Sequence, residues 1–288
     1  MAQQSASDRK STFTVAVLIA CHNRKAKTLR CLDSLFQARP KNWVFNIYLV
    51  DDGSTDGTSE AVRNFNRDII IIEGTGNWYW AHSMYQAEIA INKPYDAILW
   101  INDDVDLFKD SLSQINSFRI KFPDSILVGQ LKESLENKIS YGGYLKYDRH
   151  PFHFNRVFAE NNLETIDSFN GNLVFIPKVI SEIVGHIDGG FAHAYADIDF
   201  GLRARRIGIE NRVIPGFIGI CESNLDPEYK SLTAELKALL DTKSNPLRSQ
   251  VRFLKRHGGI FWWVFIFIPF LRIFLKNMIL SLKSLLRK

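Results

Sequence analysis

Three times within the first 106 residues a run of apolar, β-branched side chains ends abruptly at a polar cluster. Thr14–Ala20 runs into Cys21-His22-Asn23-Arg24, Phe45–Val50 into Asp51-Asp52-Gly53-Ser54-Thr55-Asp56-Gly57, and Ala97–Ile101 into Asn102-Asp103-Asp104-Val105-Asp106. Short, continuous apolar runs bounded by turn residues read as strands buried on both faces. Helix-period stretches separate them: one carries Leu29, Leu32, Leu35 and Phe36, the next Ala61, Val62 and Phe65, and a third covers Trp80–Asn92 after a further strand at Ile69–Ile72. Strands alternating with helices predict an α/β fold, a mainly parallel sheet sandwiched by helices. Ligands of such sheets bind beyond the carboxyl ends of the strands, so the three clusters are expected to share one rim.

The chain has 288 residues, 46% of them apolar, enough for a sizeable core. Cys21, Cys31 and Cys221 are an odd number without paired spacing, which argues against a disulfide framework or a four-ligand zinc site and for a reducing compartment. Residues 1–13 read as a disordered tail without a secretory signal, which predicts a cytoplasmic protein. The net charge of +5 is carried by the C-terminus, because nine Lys and Arg and no Asp or Glu lie between Arg248 and Lys288. A basic tail interleaved with large apolar residues suits an anionic lipid surface and argues against a nucleic-acid partner. The expected division is a catalytic domain over 14–225 and a helical segment over 226–288.

Asp103, Asp104 and Asp106 crowd three carboxylates into four residues at a strand end, where their repulsion is costly unless a cation is present. Mg²⁺ or Mn²⁺ takes oxygen ligands and is typically held by one or two carboxylates together with substrate phosphates, so the cluster suits a nucleotide diphosphate. The competing reading is a solvated turn capping a helix that starts near Leu107. Asp51 and Asp52 are open to a similar choice between a plain turn and a carboxylate that accepts from a base N–H or a ribose hydroxyl. Trp78, Tyr79 and Trp80 follow Gly74-Thr75-Gly76-Asn77; aromatic rings there are core by default, while Trp78 and Trp80 beside a sugar site would stack on it. Asp197 and Asp199 fall in the first turn of a helix predicted from Phe200, Leu202 and Ile207, where the alternatives are N-capping and a general base for an acceptor hydroxyl.

In their order these segments resemble the family 2 nucleotide-sugar glycosyltransferases, inverting enzymes of the GT-A fold, a Rossmann-like α/β architecture. VAVLIACHNR resembles the family's opening strand and loop, YLVDDGSTDGT its nucleotide-binding Asp-Asp-Gly-Ser, WINDDVD its metal-binding Asp-x-Asp, and ADIDFGLRARRIG its acceptor-side Glu-Asp segment. The resemblance implies a UDP-, dTDP- or GDP-sugar donor with Mg²⁺ or Mn²⁺. By it Asp52 contacts the base with Asp51 beside it; Ala20, His22 and Asn23 line the nucleotide pocket; Asp103 faces the donor sugar or ribose; and Asp104 and Asp106 approach the metal. Asp197 falls on the catalytic base, and Ala196 stands where the family has Glu. Phe169–Phe175 resembles the strand that lines the acceptor site. Enzymes of this fold sometimes add a histidine near the end of the domain, a place open to His257 or His193, with Arg252 or Arg256 near the diphosphate. A glycan or polyprenyl-linked acceptor in bacterial surface-polysaccharide synthesis is the expectation that follows.

Ile260–Leu271 is twelve uncharged residues, about 18 Å as a helix against roughly 30 Å of hydrocarbon, too short to span. Beyond Pro269 the residues Arg272, Lys276, Lys283 and Arg287 fall within roughly a 60° arc, which predicts a basic amphipathic helix lying in the plane of the cytoplasmic membrane face. The alternative for this segment is a helix packed on the domain or a homo-oligomer interface. Two other functions compete. A sugar-phosphate nucleotidyltransferase would open with a glycine-rich phosphate loop, and residues 20–25 hold no glycine. A catalytically silent, membrane-bound nucleotide-sugar-binding scaffold is the reading that Ala196 invites.

Overall fold

The computed structural model describes residues 12–136, 138–147, 150–191, 194–223, 233–234, 236–237, 241 and 247–285. Its centre is one large mixed sheet. β1 (Phe13–Cys21) pairs in parallel with β2 (Trp43–Asp51) and β4 (Ala97–Ile101), and β2 in parallel with β3 (Ile70–Glu73). The predicted strands thus stand: β1 is longer by two residues and β2 by three, β3 is shifted by one, and β4 is as expected. Side chains alternate along them: Val15, Val17 and Ile19 face one layer and Ala16 and Leu18 the other, all buried. Two apolar faces are what a continuous apolar run encodes.

α1 (Lys25–Gln37), α2 (Thr58–Phe65) and α4 (Ser111–Lys121) cover the first face, through Cys31, Leu32, Leu35, Val62, Leu112 and Ile115. α3 (Tyr79–Ile89), α5 (Lys178–Val184), α6 (Ala196–Arg206) and α7 (Leu247–His257) cover the second, through Met84, Ile180, Phe200 and Phe253. α3 ends three residues before the predicted helix does, where Ala90 closes it with backbone bonds to Gln86 and Glu88.

The sheet is not parallel throughout. β12 (Leu173–Pro177) lies antiparallel between β4 and β6 (Ser125–Lys132), with Leu173 opposite Ile101. β6 then pairs in parallel with β13 (Glu210–Ile220), so the longest ladders, β1–β2 and β6–β13, are parallel and the seam between them is not. The helix expected from Leu107 starts later, at Ser111: Asp106–Leu107 form a short strand, β5, because Leu107 and Asp106 pair with Gly219 and Ile220 of β13. β7 (Ile139–Tyr141) flanks β6 and β10 (Glu164–Ile166) flanks β13, while β8 (Gly143–Lys146), β9 (Phe154–Val157) and β11 (Ser168–Phe169) make a separate three-stranded sheet.

α7 is fastened to the α/β unit. Phe253 is fully buried, its ring 5.0 Å from Tyr195, 5.8 Å from Phe152 and 4.8 Å from His257. A short 3₁₀ turn, Val264–Phe267, leads into α8 (Ile268–Leu285), where Pro269 occupies the first turn and its missing N–H leaves no helical bond unmade. No helix among the described residues is long and apolar enough to cross a membrane. Phe253→Ala removes a buried ring from the α6–α7 junction and is expected to cost about 3–5 kcal/mol. Denaturant unfolding checks this; a loss below about 1 kcal/mol would show that α7 contributes no core.

Candidate active site

The loops after β1 and β2 are tied to each other. Asn23, in the left-handed region at φ 51°, accepts on Oδ1 from the Thr55 N–H at 2.7 Å, while its own N–H donates to Ser54 Oγ at 2.8 Å. His22 Nδ1 lies 2.6 Å from the Asp52 carbonyl, and Ala20 stands half-buried at the strand end behind it. Asp51 accepts from the Ser54 N–H at 2.9 Å and from the Ser59 hydroxyl. Asp52 is buried, and its carboxylate takes three backbone donors: Gly76 N–H at 2.7 Å and the Trp78 and Tyr79 N–H groups, each at 2.9 Å. These N–H groups lie at and before the start of α3, where helical geometry offers them no carbonyl and the helix dipole favours a negative charge. Gly74 passes so close that a Cβ there would stand 2.6 Å from Asp52 Oδ1. Asp51 and Asp52, expected at the base and ribose, are thus committed to shaping the loop that surrounds that space.

The third cluster joins the same rim through Trp80 and Asn102. Trp80 Nε1–H donates to Asn102 Oδ1 at 2.7 Å, and the Asn102 N–H donates to the Asn172 carbonyl at 3.0 Å. The Trp80 ring lies over Gly171, where a Cβ would come within 2.3 Å of it. Trp80 therefore packs on backbone across the seam, while Trp78 sets its ring 5.4 Å from His82. Both indoles are partly buried.

Asp103 is 4% exposed and only one of its oxygens is used: Oδ1 accepts from Arg24 at 3.2 Å, and Oδ2 is buried without a partner. Burial pushes its carboxyl up to about 7 against the pull of Arg24. Asp104 meets Arg24 at 2.8 Å, Lys27 at 3.8 Å and the Cys221 thiol at 3.4 Å, and Asp106 meets Arg30 at 2.6 Å. Burial holds the Cys21, Cys31 and Cys221 thiols well above their usual pKa, so these sulfurs stay protonated and are poor metal ligands. Oxygen donors with one buried lone oxygen fit a hard divalent ion. Among the described residues no three His, Cys, Asp or Glu side chains are arranged to hold a metal by themselves. The donor set therefore fits a cation that draws its remaining ligands from a bound phosphate group.

Across the seam stands Asp197. Tyr195, left-handed at φ 73°, turns the chain into α6, and Asp197 in its first turn accepts from the Gly171 N–H at 2.8 Å on Oδ2 and from the Ile198 N–H at 2.8 Å on Oδ1. Burial raises its pKa and these backbone bonds oppose the rise. A carboxylate so held, still partly exposed, retains lone pairs for an incoming hydroxyl. Ala196 beside it is fully buried in the core. Asp52, Asp104 and Asp197 thus meet one rim, linked through the Trp80–Asn102–Asn172–Gly171 contacts.

Residues 16–184 match the sequence model of Glycosyl transferase family 2. The chain belongs to that family. Among curated proteins no relative matches. Similar solved structures include a mannosyltransferase, PcManGT from Pyrobaculum calidifontis, in complex with GDP-Man and Mn²⁺ (TM-score 0.54, 15% identity, 84% of this chain and 63% of that one). TarS of S. aureus (0.55, 16%, 86% and 44%) and GalNAc-T7 with UDP, GalNAc and Mn²⁺ (0.60, 13%, 87% and 53%) are others. At these identities the likeness is one of fold, and the chain spans between 44% and 63% of their lengths.

The sequence of this family 2 member placed two groups where the structure does not. His257 Nε2 lies 2.8 Å from Asp199 Oδ1, so the structure does not bring it to Asp104 and Asp106. Arg256 spans Asp199 at 2.7 Å and Asp188 at 2.9 Å, and Arg252 holds Asp188 at 2.8 Å, so both are joined to protein carboxylates. His193 lies outside the described residues. Gly171 and Asn172 lie in the Phe169–Phe175 segment expected beside the acceptor; unforeseen were the contacts of Asn102 and the cations Arg24, Lys27 and Arg30, which only their three-residue spacing marked as one helix face. Replacing Asp52 by Ala orphans three backbone donors. Amide exchange at Gly76, Trp78 and Tyr79 is expected to accelerate, with about 1–3 kcal/mol of stability lost; unchanged exchange at all three amides would remove Asp52 as organiser of the loop.

Proposed function

We propose that this chain is an inverting glycosyltransferase that moves a sugar from a nucleoside-diphosphate sugar to a hydroxyl of a glycan or lipid-linked acceptor. One observation carries the proposal: a carboxylate with a raised pKa, Asp197, faces the same rim as the underused carboxylate Asp103, joined to it by the Gly171–Asn172 backbone. In this reading Ala20, His22 and Asn23 border the nucleotide on a loop that Asp51 and Asp52 hold open. Trp78 borders the sugar. Asp103 and Asp104, with Asp106 beside them, are the residues that would hold Mg²⁺ or Mn²⁺, which supplies positive charge to the departing diphosphate. Asp197 accepts the acceptor hydroxyl's proton as that oxygen forms its bond to the anomeric carbon, and the bond from that carbon to the diphosphate oxygen breaks. A single displacement inverts configuration.

Asp197→Asn keeps the two backbone bonds' acceptor on one oxygen only and removes the base. Nucleotide binding and melting temperature are expected to stay close to wild type while transfer falls about 10²–10⁴-fold. Near-normal turnover would assign proton removal elsewhere.

The acceptor side is proposed to lie at the cytoplasmic face of the membrane, with a polyprenyl-linked glycan of surface-polysaccharide synthesis as the acceptor class. Ile260 is 88% exposed, and Phe261, Trp263, Phe267, Leu271 and Phe274 are exposed with it, an apolar surface bordered by Arg272 and Lys276. Apolar area rimmed by positive charge suits an anionic bilayer. Full-length protein is expected to co-sediment with phosphatidylcholine/phosphatidylglycerol vesicles and protein ending at residue 258 to stay in solution. Equal sedimentation of the two, or a dimer in place of vesicle binding, would reassign this surface.

A further inference from the structure

The three carboxylates after β4 are not left bare. Arg24, Lys27 and Arg30 recur every third residue along the start of α1 and meet them in order: Arg24 on Asp103 and Asp104, Lys27 on Asp104, Arg30 on Asp106. The match is incomplete at one atom. Asp103 Oδ2 is buried and without a hydrogen-bond partner, although Arg24 sits on its sister oxygen. An ion-pair network made only for stability would leave no buried carboxylate oxygen unpaired, because such an atom keeps its desolvation cost. The unpaired oxygen points to a second positive occupant, and Arg24 stands on the carboxylates that occupant would use.

A guanidinium and a divalent cation repel each other at this range. A metal ion arriving alone must therefore displace Arg24 from Asp103 and Asp104, and no set of three protein ligands among the described residues rewards it for doing so. A nucleotide diphosphate changes the balance in two ways. Its oxygens complete the cation's ligand shell, and they offer the released guanidinium an acceptor whose geometry its planar fork matches. Arg24 is half-exposed, so it is free to turn.

We infer that Arg24 is a resident counter-ion that holds the acidic rim closed to free metal and hands it over when a nucleotide diphosphate binds. Cation and donor are then taken up together, and Arg24 becomes a donor-binding residue in the process. Lys27 and Arg30 keep Asp104 and Asp106 partly neutralised in both states. This rests on the glycosyltransferase reading above.

The test follows free Mn²⁺ by electron paramagnetic resonance as wild type, R24A and R24K are titrated without nucleotide. Calorimetry with UDP, dTDP and GDP at saturating Mn²⁺ follows. R24A is expected to bind Mn²⁺ alone about tenfold more tightly than wild type, and its best nucleotide about tenfold more weakly. R24K, which keeps the charge, is expected to resist Mn²⁺ as wild type does; a thermal melt of each variant shows that it is folded, and R24K against wild type carries the nucleotide comparison if R24A is not. Equal or weaker uptake of free Mn²⁺ by R24A overturns the counter-ion, and unchanged nucleotide affinity in R24A overturns the handover. In either case nucleotide-dependent Mn²⁺ binding by wild type leaves the glycosyltransferase reading standing. Failure of wild type to bind Mn²⁺ with any of the three nucleotides removes that reading and this inference with it.

Discussion

The site depends on one reversal of direction. Because β12 runs antiparallel beside β4, its first residues lie where β4 ends, and Leu173 comes opposite Ile101. A parallel neighbour would have put Gly171 and Asn172 at the far edge of the sheet. As built, the Asn172 carbonyl takes the Asn102 N–H, and the Gly171 N–H reaches Asp197. Residues far apart in the chain are thereby joined by one backbone–backbone bond and one bond from a backbone N–H to the Asp197 carboxylate. Trp80 closes the seam from the α3 side, and it can do so only because Gly171 has no Cβ to meet its ring. The nucleotide-side loop, the acidic rim and the α6 carboxylate are held at fixed spacing before any ligand arrives, which is the condition for electrostatic preorganisation.

Around that seam the aspartates divide into two kinds. Asp51, Asp52 and Asp199 have their oxygens filled by backbone N–H groups, hydroxyls or cations. Burial works to raise the Asp199 carboxyl, but the bonds from His257 and Arg256 and the charge of Arg203 hold it below its ordinary value. Asp103 and Asp197 are raised instead, each chiefly by burial. Held low in this way, Asp199 stabilises the fold wherever the pH is above the ordinary carboxylate range. The second kind destabilises its own charged form, a cost that persists at sites where the charge is needed. In the proposed reading this split separates scaffold from chemistry more sharply than motif position does, since Asp52 and Asp103 sit in equally acidic clusters at the ends of the two strands that flank β1.

That split explains what the sequence reveals. Continuous apolar runs ending in polar clusters identify β1, β2 and β4 and their common rim, because burial on both faces leaves a local signature. The helix beginning at Ala196 is legible for a similar reason, its apolar positions recurring at helical spacing behind two acids. Leu107 is misread as a helix start because its strand state comes from pairing with Gly219, and no local window contains that partner. The role of Asp52 is hidden in the same way: Asp-Asp-Gly-Ser reads identically whether the carboxylate faces a ligand or caps α3. His257 looks like a spare ligand in sequence, while in the fold Asp199 claims it from α6.

The same junction changes how the basic C-terminus is to be counted. Arg252 and Arg256 contribute to its formal charge, but Asp188 and Asp199 neutralise them across the α6–α7 interface. Among the described residues Arg272 and Lys276 of α8 lie next to the exposed apolar residues, which is where the proposal has an anionic surface meet them. Asp199 also lies in the first turn of α6, two residues beyond Asp197, and Arg256 and His257 grip it from the end of α7. α7 is therefore joined through a buried ionic lock to the helix bearing the proposed base. In the proposed reading, an acceptor delivered beyond α7 would meet a carboxylate on the helix to which that lock ties α7.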